Sequence, residues 1–457
     1  MNLLTLHRYL RFTPFDTASE QGRSDERYRL AVLSMVANVL SRGVAMAVMV
    51  LTVSLTLPYL GAERFGVWMT IASFAGMLMF LDLGIGNALT NKVAQVAAQN
   101  NPQRLRQTIS GGLGFLFVIG CAVGALLIAL FSILPWQQLI KVGNPLLHTE
   151  IRSAAMLFAG LFGLYIFANG IQRIFTGLQR AYEGHLASLL GSLAMLLALG
   201  LAARQESGIP VLLLITLGIQ SLASLSLLIV LIKRGQFGFP GLLSNIREET
   251  PHLLHIGGLF FLLQLGVMVG WGADSLIISS NLGAEQVAVF AVVQRLFQLV
   301  SQPMSIMNAP LWGAYADAHA KNDKAFIRKT LESSLMTTLA YSAIVAMVLV
   351  FAGGRIVEIW TDNAIQISLG LLAAYACWVI LEAVGNALSM FLNGCGIVRQ
   401  QVIHVLVFSI ASIAVKFFMI RNFGLEAMIL GTAFTYAVIT TAAYGWFFRK
   451  TLFAQMR

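Results

Sequence analysis

Charge is scarce in this chain. Asp, Glu, Lys and Arg make up 11% of its 457 residues, where soluble domains carry about 25%. So little charge excludes a soluble globular protein, and a content of 58% hydrophobic residues excludes a disordered one. Cysteine is scarcer still. Cys121, Cys377 and Cys395 are odd in number and lack metal-ligand spacing, and the first two sit inside apolar runs. They read as small buried hydrophobes rather than a disulfide frame or a zinc site. A Gly-rich phosphate loop leading into Lys and a helix is also missing, which argues against direct use of ATP, and no cofactor motif is present. Acidic residues are fewer than basic ones, 20 against 30, for a net charge of +10. The basic residues fall between apolar blocks, which is how membrane topology is written, so nucleic acid is not the expected partner.

What is abundant is apolar sequence in long runs. A bilayer core needs about 20 apolar residues per helix. Twelve such blocks lie at 30–56, 65–90, 110–134, 151–177, 184–203, 209–232, 253–280, 286–312, 331–352, 367–393, 402–420 and 425–447. The expected fold is therefore an all-α polytopic membrane protein. Residues 1–29 are polar and basic, and the run after them is too long for a signal-peptide core, so it is expected to stay as the first span. With the N-terminus inside, 20 Lys and Arg fall in cytoplasmic segments and 6 in outer ones, while Arg42, Arg173, Arg295 and Lys416 fall inside spans. This bias predicts cytoplasmic termini. The eighth block contains Pro303 and Pro310, which predict a kinked helix within a bundle. Trp68, Trp136 and Trp360 near outer span ends, with Trp312 and Trp446 near inner ones, read as an aromatic belt.

The chain also repeats itself. Leu60-Gly61-Ala62-Glu63 recurs as Leu282-Gly283-Ala284-Glu285, a shift of 222, and holding that shift gives 11 identities over positions 60–109. The shift carries the second span onto the eighth. Six helices is an even number, so the halves are parallel repeats with the transport path expected between them. The predicted organisation is a cytoplasmic segment 1–29, a six-helix lobe 30–232, a linker 233–252, a second lobe 253–447 and a cytoplasmic tail 448–457. The linker holds three Gly and two Pro, with Leu242, Leu243 and Ile246 beside Arg247 marking a short interfacial helix. Two facing bundles of this kind predict alternating access.

At this point the residues carry a resemblance. Leu60-Gly61-Ala62-Glu63-Arg64-Phe65-Gly66-Val67-Trp68, then Leu81-Asp82-Leu83-Gly84-Ile85-Gly86-Asn87-Ala88-Leu89, resemble the first hairpin of the polysaccharide (O-antigen type) flippases. Asp274-Ser275-Leu276-Ile277-Ile278 followed by Leu282-Gly283-Ala284-Glu285 is the second-half counterpart. That family belongs to the superfamily of the multidrug and toxin extrusion antiporters and the lipid II flippase. The resemblance implies a V-shaped pair of six-helix lobes around a cationic cavity, in a bacterial inner membrane. It also implies the cargo: an undecaprenyl-pyrophosphate-linked oligosaccharide moved to the outer leaflet for surface polysaccharide assembly (O-antigen of lipopolysaccharide, capsule or exopolysaccharide). The lipid II branch adds two helices for which this chain has no room.

Ionisable residues within spans are expensive and usually face a bundle interior or a cavity. At ~1.5 Å per residue, Arg42 and Glu382 lie near the midplane and Asp82 in the cytoplasmic half of its span. Asp274 lies about 9 Å, and Arg295 about 13 Å, below their outer span ends. Guanidinium groups present fixed forks of donors that suit a pyrophosphate, so Arg42 and Arg295 are the candidate ligands, joined by Lys416. The competing assignments are an Asp274–Arg295 ion pair, and snorkelling for Arg173 and Lys416. Asp82, Asp274 and Glu382 either neutralise the arginines or carry a coupling proton or sodium ion, and neutralisation is favoured. Trp271, one turn from Asp274, is a candidate for stacking on sugar rings, against packing or lipid contact. Asn169 and Gln172, matched by Asn386 in the second half, either bind sugar or cross-link helices. Gly84, Gly86, Pro303 and Pro310 fall in repeat-related spans and are candidate hinges, against ordinary bends. His252 and His255 lack a third ligand and read as an interfacial pair, so no metal is expected.

Two other functions fit the composition. An ion-coupled multidrug or small-solute antiporter of the same architecture would need uncompensated carboxylates, which Arg42 and Arg295 offset. A polytopic polymerase or acyltransferase would need a large outer loop or an intramembrane His/Asp constellation, and neither is visible in the sequence. Transport rather than catalysis is the expectation.

Overall fold

The computed structural model describes residues 9–11, 13–16, 19–78, 85–99, 101–145, 147–238 and 272–447. Regular structure among them is helical throughout, with no strand. The helices are α1 Glu20–Leu78, α2 Ile85–Ala98, α3 Pro102–Ile133, α4 Trp136–Leu139, α5 Leu147–Gly177 and α6 Ala181–Arg204. Then follow α7 Ile209–Leu213, a π-helical turn Leu214–Gly218, α8 Ile219–Lys233, α9 Asp274–Leu282 and α10 Ala284–Asn308. The chain continues with α11 Leu311–Ala320, α12 Lys324–Trp360, α13 Leu369–Gly394 and α14 Val398–Phe447.

Nine helical segments among the described residues are long and apolar enough to cross a membrane. Their relation to the twelve expected spans is set by glycine. α1 runs through the first expected span and into the second, and breaks at Gly61 (φ 71°, ψ 167°). α14 covers the last two and breaks at Gly424 (φ 84°, ψ −166°). The seventh span is described only from residue 272 onward, and the linker and C-terminal tail lie outside the described residues. In the eighth, Pro303 is accommodated inside α10, while the helix ends at Asn308 and restarts at Leu311 directly after Pro310. A proline lacks the N–H that would continue the ladder, so the break falls where the sequence places it.

The repeated tetrapeptide has a repeated shape. Gly283 (φ 93°, ψ 170°) adopts the conformation of Gly61, in a region open essentially to glycine alone. Both precede Ala-Glu, and the glutamate sits in the first turn of the next helix, where negative charge meets the positive end of the helix dipole. Side-chain caps start other spans: Asn101 accepts from Arg104 N (3.0 Å), Asp323 from Phe326 N (2.9 Å) and Ser368 from Leu371 N (3.1 Å).

By internal contacts the chain forms two compact units. The first comprises Met1–Leu55, Met79–Leu134 and Thr149–Phe261. In it α3 and α5 approach backbone to backbone, because a Cβ on Gly163 would collide with the carbonyl of Gly120. Small residues let transmembrane helices come this close, where van der Waals contact rather than water expulsion drives association. Phe131, Phe158, Phe162 and Tyr165 stack in series, with ring centroids 6.3, 5.7 and 6.0 Å apart. Near the N-terminus, Arg29 grips Glu26 (2.6 Å) and donates to the Arg11 carbonyl (3.0 Å), while Phe15 N donates to Glu26 (2.9 Å). The segment before α1 is thereby folded back onto it.

The second unit comprises Thr56–Leu78, Pro135–His148 and Leu262–Arg457. It takes in the region around the first copy of the repeat together with the second copy. A Cβ on Gly66 would overlap the Ala284 carbonyl, so the two copies lie directly against each other. The 135–148 loop is pinned beside them: Ala284 N donates to the Lys141 carbonyl (3.1 Å) and Gly143 N to Glu63. Trp68 and Trp136, expected in an aromatic belt, are 2% and 6% exposed and belong to the interior, Trp68 edge-on to Phe65. The face they present was not legible in the sequence.

Candidate functional site

The charges expected inside the membrane gather mainly in the second unit, and their partners differ from the simplest expectation. Asp274 and Arg295 do not pair. Asp274, in the first turn of α9, instead meets Lys416 of α14, Nζ to Oδ1 at 2.6 Å, with the lysine side chain 1% exposed. Lys416 therefore neither snorkels to an interface nor stands free in an open cavity. Removing one member of such a buried pair costs roughly 3–5 kcal/mol, because the other is left charged in a medium that solvates it poorly. Nearer the end of the same two helices, Arg421 Nε donates to Asn281 Oδ1 (3.1 Å). The two cross-links together fix the register of α9 against α14.

Arg295 is left with apolar company. Its Nη2 lies 3.1 Å from the Met69 sulfur and its Cζ 5.8 Å from the centre of the Phe65 ring, both on the first-repeat segment of this unit. Nη1 is buried without a hydrogen-bond partner, and no carboxylate pairs with the guanidinium among the described residues. A planar cation with unspent donors, held against a soft sulfur and an aromatic face, is suited chemically to a multivalent oxyanion.

Glu382 and Asn386 follow Tyr375 and Trp378 along one face of α13, at spacings of three, four and four residues. Asn386 Oδ1 is buried and unpaired among the described residues. Glu382 makes no ion pair there either, although it lies within electrostatic range of Asp274, Tyr375 and Tyr436. Trp378, Phe408 and Tyr436 pack as a cluster, with the Tyr436 ring 5.2 Å from Phe408 and 5.8 Å from Trp378. His404 completes its far side and shares a 3.0 Å hydrogen bond with Thr440. A small pocket opens beside Asp274, lined by Phe290, Tyr375, Trp378, Met428, Ile429 and Thr432. It has space for about one water molecule.

In the first unit, Arg42 is exposed and its Nε donates to Asn38 Oδ1 (3.2 Å) one turn earlier. Gln172, weighed between sugar binding and helix cross-linking, joins three helices: its amide donates to Ser188 of α6 (3.0 Å) and Ser224 of α8 (2.7 Å). Gln220 adds a bond to Ser192 (3.1 Å), just past the π-helical turn. Asn169 is partly buried on α5, one turn before Gln172. Gly86 is buried in α2, its carbonyl accepting from Thr90 (3.0 Å). Asp82, Gly84 and Trp271 lie outside the described residues.

The sequence alone did not single out Tyr375, Trp378, Thr432 or Tyr436, nor the Met69–Phe65 seat of Arg295. The first two were detectable, since they share the helical face of Glu382 and Asn386. The rest are set by which helices meet, which hydropathy does not encode. No group of three or more His, Cys, Asp and Glu residues is placed to hold a metal ion among the described residues.

Comparison with known proteins fits this architecture. A search of curated proteins gives no match. Among solved structures, an inward-facing multidrug resistance MATE family transporter of the MOP superfamily superposes with a TM-score of 0.75 at 16% identity, over 90% of this chain and 97% of that one. The lipid II flippase MurJ, in an inward closed conformation, gives 0.68 at 15% identity, over 90% and 86%. A MOP superfamily transporter from Pyrococcus furiosus, described as having a binding pocket of reversed polarity, gives 0.64 at 15% identity, over 92% and 95%. These likenesses establish the fold, that of a multi-pass membrane protein. The model of the polysaccharide biosynthesis protein family matches residues 28–311, more than half of the sequence and including both copies of the repeat, and the chain belongs to that family.

Proposed function

We propose that this chain is a flippase. It carries an undecaprenyl-pyrophosphate-linked oligosaccharide from the cytoplasmic to the outer leaflet of a bacterial inner membrane, for assembly of a surface polysaccharide. Membership of the polysaccharide biosynthesis family supports the cargo class. The observation that carries the reading is Arg295, a guanidinium within a transmembrane helix that keeps a buried donor and no carboxylate partner among the described residues. A drug-cation carrier has no use for such a group, whereas a diphosphate supplies oxygens for a charge-assisted fork. Arg42 of the first unit is the second arginine assigned to the diphosphate, and Asn386, with Asn169, to the glycan. Lys416 keeps an indirect part through Asp274. Glu382 is the candidate to carry a coupling proton, and Gly86, Pro303 and Pro310 are the candidate bending points. Lobes 30–232 and 253–447, with both termini cytoplasmic, are the frame of this reading.

The test is flipping in proteoliposomes, with a pyrophosphate-linked polyprenyl oligosaccharide and a probe for outer-leaflet glycan. Arg295→Ala and Arg42→Ala are each expected to abolish most transport while leaving the protein folded. Normal flipping by both variants would contradict the site.

A second reading rests on Glu382 being free of any ion pair among the described residues, and on the likeness to a multidrug transporter fold. It predicts proton-driven efflux of an organic cation from the same vesicles, lost in Glu382→Gln and retained in Arg295→Ala.

A further inference from the structure

We propose that Phe65 and Met69 are positioning residues for Arg295: they hold its guanidinium in place without neutralising it, and the uncharged side chain at position 69 decides that an anion is accepted there. The inference rests on the assignment of Arg295 to the diphosphate and adds the two side chains that keep the arginine available to it.

Three observations carry it. First, the donors of Arg295 are engaged unevenly. Nη2 meets the Met69 sulfur at 3.1 Å, while Nη1 is buried with no hydrogen-bond partner among the described residues. A thioether sulfur is a weak acceptor without formal charge, so it orients the donor fork and leaves the positive charge whole. Second, the Phe65 ring centre lies 5.8 Å from Cζ, within reach of a cation–π contact. That ring is itself fixed, since Phe65 is fully buried and stands edge-on to Trp68, centroids 5.8 Å apart. Third, the helix carrying both residues is held close. Phe65 and Met69 are four residues apart and share one face, and a Cβ on neighbouring Gly66 would overlap the Ala284 carbonyl at the start of α10. A glycine there brings the seat within reach of the arginine further along α10.

The ordinary partner for a guanidinium inside a membrane is a carboxylate, which would cancel its charge. None pairs with Arg295 among the described residues, and Asp274 is taken by Lys416 at 2.6 Å. The seat therefore offsets only part of the cost of burying the cation, and oxyanions that reach Nη1 supply the rest. Charge selectivity follows from the same chemistry. Glutamate at position 69 would meet the guanidinium where the sulfur now sits, pair with it and leave little for an anionic ligand. Glutamine, of the same length, would offer a neutral acceptor and leave the charge intact. Packing alone makes no such distinction between the two.

The experiment is titration calorimetry of inorganic pyrophosphate into the purified full chain, beside the flipping assay above, with thermal unfolding to confirm that each variant folds. Arg295→Ala is expected to lose binding. Met69→Glu is expected to weaken pyrophosphate about 10- to 100-fold, and Met69→Gln to stay within a few-fold of wild type. Met69→Leu and Phe65→Leu are expected to raise KM for the lipid-linked oligosaccharide a few-fold with kcat little changed. These two carry the test should Met69→Glu not fold. A wild-type chain that does not bind pyrophosphate, or an Arg295→Ala variant that binds it as well as wild type, overturns the diphosphate assignment beneath the proposal. With that assignment standing, the seat is overturned by wild-type affinity in Met69→Glu or by equal damage from glutamate and glutamine. Leucine variants that keep the wild-type KM overturn it too.

Discussion

The repeated glycines offer a quantitative check on the fold. Gly61, Gly283 and Gly424 all have φ between 71° and 93° with ψ within 14° of 180°. A Cβ there strains the backbone by about 1–3 kcal/mol, since only glycine enters this region freely. Steric crowding adds little: a Cβ meets nothing within 4 Å at Gly61 and Gly424, and at Gly283 only the Lys141 carbonyl oxygen at 3.6 Å. Alanine at any of the three is therefore expected to lower the unfolding free energy by about 1–3 kcal/mol, roughly 5- to 150-fold in the equilibrium constant. The control is Gly43→Ala. Gly43 lies inside α1 with nothing within 4 Å of its Cβ, so alanine there is expected to stabilise by about 0.5–1 kcal/mol. Equilibrium unfolding in mixed micelles, with all four variants compared against wild type, reads the difference. If Gly61→Ala and Gly283→Ala match Gly43→Ala in sign and size, the glycine breaks are not where the structure places them.

Other consequences follow from the same geometry. Gly163→Val drives a side chain into the Gly120 carbonyl and is expected to lower Tm by several degrees, whereas Gly160→Val, with open space around it, is expected to change it little; thermal scanning separates the two. Gln172→Leu removes both amide bonds to Ser188 and Ser224 and is expected to cost about 0.6–2 kcal/mol in unfolding experiments while leaving transport rate per folded molecule unchanged. Glu26 is held below the usual carboxylate range, chiefly by its hydrogen bond with Arg29 and also by the Phe15 N–H. Its contribution to docking residues 9–16 is accordingly complete at neutral pH and lost only as pH falls through that lowered value. Hydrogen exchange of Phe15 is expected to accelerate at acid pH in wild type, and at all pH values in Glu26→Gln.

Most of the architecture was legible because membrane constraints are one-dimensional. Span length follows from bilayer thickness, and the run of apolar blocks anticipated the helices. The repeat was visible because loop glycine and glutamate are not interchangeable with anything else, and Gly61 and Gly283 do share one conformation. What the sequence did not contain was side-chain partnership. Arg295 and Asp274 are alike in depth and close in topology, which made their pairing a fair competitor. Lys416, 142 positions beyond Asp274, takes the carboxylate instead because α14 packs against α9. Gln172 could not be assigned from sequence for the same reason: its role depends on which serines the neighbouring helices turn toward it. Trp68, expected in an aromatic belt, instead packs edge-on to Phe65 in the interior.

The central claim is that a membrane-embedded arginine serves a lipid-linked diphosphate. Its most direct test is the rate of flipping of a pyrophosphate-linked polyprenyl oligosaccharide by Arg295→Ala and Arg295→Lys in proteoliposomes, relative to wild type at equal folded protein. The account predicts near-complete loss in the alanine variant and partial activity in the lysine variant, which keeps the charge but not the bidentate fork. Wild-type rates in both would contradict it.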